Sequence, residues 1–103
     1  MTPRSACKAA AIAIIALTTS PAVAACHDDL VTVSQTVERT RAELKDAAAA
    51  AKCAAYRRHI AALTQVRDVF ARCDKGADKG KNAAQVRSTI ADVTKQMQQS
   101  CKR

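Results

Sequence analysis

Between residues 82 and 101 apolar side chains recur at Ala83, Val86, Ile90, Val93 and Met97, in steps of three and four that put them on one face of an α-helix. Asn82 with Gln85 three positions on resembles a capping box, with Asn in the usual Ser/Thr place. A helix is therefore predicted over residues 82–101. Upstream, Cys53, Tyr56, Ile60, Leu63, Val66, Phe70 and Cys73 trace a second stripe of the same kind, predicting a helix over 53–74. The polar segment 75–81 between them holds both glycines of the chain and reads as a loop, with Gly76 placed as a helix-ending residue.

The first segment is more ambiguous. Leu30, Val33, Val37, Thr40, Leu44, Ala47 and Ala51 fit a heptad stripe, with Asp28 as a candidate N-cap, and predict a helix over 28–50. The run "LVTVSQTV" is β-branched enough to suggest a strand, but a lone strand would have no partner here. No glycine or proline separates this helix from the next, so residues 28–74 could also form one helix roughly 70 Å long. The pattern thus predicts an all-α chain. It is either a small antiparallel three-helix bundle or a long helical hairpin.

Composition makes the core thin. Leu, Ile, Val and Phe supply roughly 16 % of residues 25–103, below the roughly 20 % under which a strongly charged chain tends to disorder. Much of the remaining apolar content is alanine. A chain of this size needs covalent staples.

The cysteines offer them. In an up-down-up bundle Cys26 lies beside Cys73 and Cys53 beside Cys101, whereas other pairings would join ends on the order of 30 Å apart, against the roughly 7 Å a disulfide spans. A continuous first helix would keep the bridge from Cys53 to Cys101 but carry Cys26 tens of Å from Cys73. The pairing of Cys26 is therefore the test of topology. Each bridge would close a loop of nearly fifty residues, for about 4 kcal/mol by chain entropy. The cysteine spacings match no zinc signature, and no C-x-x-C pair is present.

Residues 1–24 read as a cleaved signal peptide. Arg4 and Lys8 precede an apolar run too short to span a bilayer, and Ala22-Val23-Ala24 fits a small-residue cleavage site. Export to a bacterial periplasm or beyond is expected, which suits disulfides. Loss of Arg4 and Lys8 takes the formal charge from +8 to +6, still basic. Residues 25–103 are then a single stapled domain.

No G-x-S-x-G, H-E-x-x-H, glycine-rich phosphate loop or C-x-x-C-H occurs, and a narrow bundle leaves little room for a catalytic cleft. The expectation is a non-enzymatic binding or accessory protein with no cofactor. Lys52, Arg57 and Arg58 form a basic band suited to an anionic envelope component or an acidic protein, with peripheral membrane contact as one form of it. Export and the scarcity of aromatics argue against nucleic acid. His59 sits in the same band, where the neighbouring arginines should disfavour its charge. Heptad seams would also suit a homodimer.

Two alternatives concern the start of the mature chain. A cut after Ala24 would leave Ala25-Cys26-His27, whose amine, amides and imidazole could hold Cu(II) or Ni(II) in a square plane, with His27 as the side-chain ligand. Val23-Ala24-Ala25-Cys26 loosely fits a lipobox, which would make Cys26 a lipid anchor. Lipidation would leave three cysteines, an odd number.

Overall fold

A computed structural model describes residues 21–102. The signal-peptide reading falls mainly on residues 1–20, outside the described residues. Three helices follow in order: α1 over Pro21–Asp46, α2 over Lys52–Cys73 and α3 over Lys81–Cys101, with short 3-10 turns at Ala49–Ala51 and Gly76–Asp78. Among the described residues there is no strand, so the β-branched run at Leu30 is helical.

Helix α1 starts seven residues before the predicted N-cap. Pro21 suits a first helical turn, where its missing N–H loses no bond, and Ala22, Ala24 and Ala25 favour continuing the helix. Asp28 is therefore a mid-helix residue, and α1 runs across the expected cleavage point between Ala24 and Ala25.

The chain does break between the first two helices, which rules out the long hairpin. Ala48 is extended (φ −67°, ψ 160°), and a single 3-10 turn follows before α2 begins. The Lys52 ammonium donates to the carbonyl of Leu44 at 2.7 Å, adding to the long bond of 3.4 Å that this carbonyl accepts from Ala47 N–H at the end of α1. Alanine permits this turn without demanding it. That is why composition alone did not reveal it.

The second connection differs from expectation in its caps. Asp74, extended, ends α2, and its N–H donates to Phe70 O. Gly76 has φ +62° and opens the 3-10 turn, while Gly80, at φ +85°, is the residue that starts α3. Asn82 lies inside α3 and no side chain caps that helix, so the predicted box does not form.

Helix α2 is central. Helices α1 and α3 each pack along it and scarcely touch one another. Two heptad rows on α2 serve these neighbours. One runs Ala55, His59, Ala62, Val66, Val69, Cys73; the other runs Cys53, Tyr56, Ile60, Leu63, Arg67, Phe70. The first row faces α1, to which it is joined by Cys73 and His59, and all its residues except the cysteine are buried. The second faces α3 through Cys53, and only Leu63 in it is buried. The stripe read from the sequence follows the second row to Leu63 and then alternates, taking Val66 and Cys73 from the first row and Phe70 from the second.

Both disulfides form as geometry required. Cys26 pairs with Cys73 at a Cα separation of 5.8 Å and Cys53 with Cys101 at 4.9 Å. Between these staples Val37, Ala62, Leu63 and Val66 make the buried centre, with Val33, Phe70, Val86, Ile90 and Val93 packed around it.

Candidate functional site

The basic band does not form one patch. Successive helical residues are rotated by about 100°, so Lys52, Arg57 and Arg58 leave α2 in three different directions. Lys52 is half-buried and engaged with Leu44. Arg58 reaches across to Glu43 of α1 at 3.5 Å, and Arg57 stands exposed without a partner among the described residues.

The face of α2 that neither neighbour covers carries Ala54, Arg57, Arg58, Ala61, Gln65, Asp68 and Arg72, all exposed. Arg72 meets Asp29 of α1 at 2.9 Å, and Arg67, at the edge, meets Asp68 at 3.0 Å. Cations exceed acids on this ridge, yet α1 lends it two carboxylates. Its free positive charge is centred on Arg57.

His27 is exposed on α1, the third residue after the expected cut, and Cys26 beside it is held in the bridge to Cys73. A square-planar site built from the amine and the next two amides would require the first helical turn to unwind against that tether. The same bridge occupies the sulfur that a thioether lipid would need. Among the described residues no group of three or more His, Cys, Asp or Glu side chains is placed to hold a metal, and no helix is long and apolar enough to cross a membrane.

One polar site escaped the sequence reading. His59, assigned there to the basic surface, is only 6 % exposed, and its Nδ1 lies 2.8 Å from the hydroxyl of Thr40, also buried at 6 %. The Thr40 hydroxyl donates to the carbonyl of Val37 at 3.0 Å. Its single proton being used there, the hydroxyl accepts from His59, which fixes the neutral ring with the proton on Nδ1. Burial holds the ring's pKa below its ordinary value of 6.5, Arg41 acts in the same direction and Glu38 opposes both. The neighbours that depress its charge are thus the core and Arg41, not Arg57 and Arg58. The signal available in the sequence was position: His59 occupies a heptad row between Ala55 and Ala62.

A single buried side-chain oxygen among the described residues, Asp74 Oδ2 at the end of α2, has no hydrogen-bond partner. No family model, curated protein or solved structure matches the chain.

Proposed function

We propose that this chain is an exported, non-enzymatic binding or accessory protein of the bacterial periplasm that meets an anionic envelope component through the exposed ridge of α2, centred on Arg57 with Arg58 at its flank. The observation that carries the reading is the pair of intramolecular disulfides closing around a core too small to dispense with them. Such an architecture belongs in an oxidising compartment. The net positive charge and the arginine-rich free face of α2 support an anionic partner, since charge of one sign on an uncovered face raises the local concentration of its opposite. Among the described residues the shallow concavity between α1 and α2 that holds Asp29, Asp68 and Arg72 has its carboxylates paired with arginines, Asp29 with Arg72 and Asp68 with Arg67. Binding suits it better than catalysis.

Two measurements test this. Intact mass of the protein recovered from the periplasm should show removal of residues 1–24 and two disulfides; recovery from the cytoplasm with the leader attached and free thiols would contradict it. Oxidised protein should bind vesicles containing anionic lipid, or a soluble acidic polysaccharide, in a salt-sensitive way, and the double variant Arg57→Gln/Arg58→Gln should bind severalfold more weakly. Equal binding to purely zwitterionic vesicles, or no effect of the double substitution, would overturn the assignment of the ridge.

A further inference from the structure

The seam between α1 and α2 is fixed covalently at both ends. The Cys26–Cys73 bridge closes one, and the chain itself turns from α1 to α2 at the other. Thr40 and His59 lie between, about 21 Å along α1 from Cys26 and within two turns of the helix end at Asp46. Beyond them the seam is held by two polar contacts at the surface, Glu43 with Arg58 and Lys52 with Leu44 O.

The ring is neutral in a specific way. Its Nδ1–H is used on Thr40, and its Nε2 makes no hydrogen bond among the described residues. Taking up a proton would add a charge to a ring that is largely desolvated within a row of alanine and valine, with only the Nε2 edge left to reach solvent. The charged groups acting on the ring both come from α1. Arg41 would repel the imidazolium, and Glu38 would attract it but pairs at 2.6 Å with Arg41. Helix α3, on the opposite row of α2, supplies no charge to it.

We propose that the Thr40–His59 pair is a proton-operated latch: protonation of His59 loosens residues 37–46 of α1 from α2 while the bridge at Cys26 keeps the lower half of α1 in place. The opening would uncover Val37 and Leu44 beside the basic residues Arg58 and Lys52, an amphipathic surface that the closed form lacks. Acid is the trigger because the opened state exposes an imidazole of ordinary affinity for protons. Between the ring's ordinary pKa and its lowered value in the closed form, the opening constant can rise by up to about tenfold per pH unit.

Hydrogen exchange of the oxidised protein, compared at pH 7.5 and pH 5.5 after correction for intrinsic rates, tests the latch. Amides of 37–46 should open several times more readily at the lower pH, those of 26–33 should not, and His59→Gln, whose amide can still donate to Thr40, should abolish the difference. Acid sensitivity surviving in His59→Gln, spread uniformly over α1, or absent in the native protein would overturn the proposal. Should that variant fail to fold, a 15N titration of the native protein decides: the latch requires His59 to stay neutral to a pH below the ordinary imidazole value of 6.5, and a midpoint at or above that value would refute it.

Discussion

The two seams of α2 are built on unlike principles. Toward α1 the row Ala55, His59, Ala62, Val66 and Val69 is buried, made mostly of small side chains, and reinforced by Thr40–His59, Arg58–Glu43, Arg72–Asp29 and Lys52–Leu44 O. Toward α3 the side chains are larger, Tyr56, Ile60, Leu63 and Phe70 against Val86, Ile90 and Val93, yet most stay half-exposed. Among the described residues no hydrogen bond or ion pair crosses from α2 to α3. The small residues leave a dry seam in which polar groups must be matched, whereas the α3 seam buries Ala83 and Leu63 and leaves its other large side chains partly open to solvent. With no polar contact across the α3 seam among the described residues, the disulfide from Cys53 to Cys101 is expected to carry a larger share of holding α3 than its counterpart does of holding α1.

This comparison can be broken most severely at the bridges. The two loops are nearly equal in sequence separation, 47 and 48, so chain entropy alone predicts the same loss of about 4 kcal/mol for either. The account instead expects Cys53→Ser/Cys101→Ser to lower stability further than Cys26→Ser/Cys73→Ser, read by urea unfolding, with α3 released. Equal losses would show that the seams do not differ. A smaller effect is expected from overfilling the α1 seam. Ala62→Leu should cost about 1–3 kcal/mol because Ala62 is only 2 % exposed, whereas Ala61→Leu, on the open ridge, should stay within about 0.5 kcal/mol.

Acid sharpens the contrast further. His59 binds its proton less readily folded than unfolded, so between pH 6.5 and its lowered pKa the unfolded chain holds more protons. The contribution of His59 to stability is full above pH 6.5 and declines as pH falls below it, a dependence that His59→Gln should remove from urea midpoints measured at pH 7.5 and 5.5. The smallest effect belongs to the exposed pair Glu38–Arg41, whose loss in Glu38→Gln should change stability by under about 0.5 kcal/mol.

How much of this could be read from the chain follows the same division. The all-α class, the third helix and both disulfide partners were legible, because heptad spacing and the length of a helix leave few other solutions. The α1 row was not, because hydrophobic periodicity is conspicuous in Ile, Leu and Phe and faint when a face is written in Ala55, His59 and Ala62. The turn after Asp46 was hidden by alanines that are equally at ease in a helix. The start of α1 was obscured by Asp28, which read as a cap although helix formers precede it. As for the basic band, adjacency in sequence suggested a cluster that helical rotation disperses.

Segment-resolved native-state hydrogen exchange of the oxidised protein at neutral pH tests the central claim most directly. Unequal seams predict that amides of α3 exchange through an opening of lower free energy than those of the lower half of α1 and of α2, which should approach the global unfolding limit. Equal protection in α1 and α3, or greater protection in α3, would contradict it.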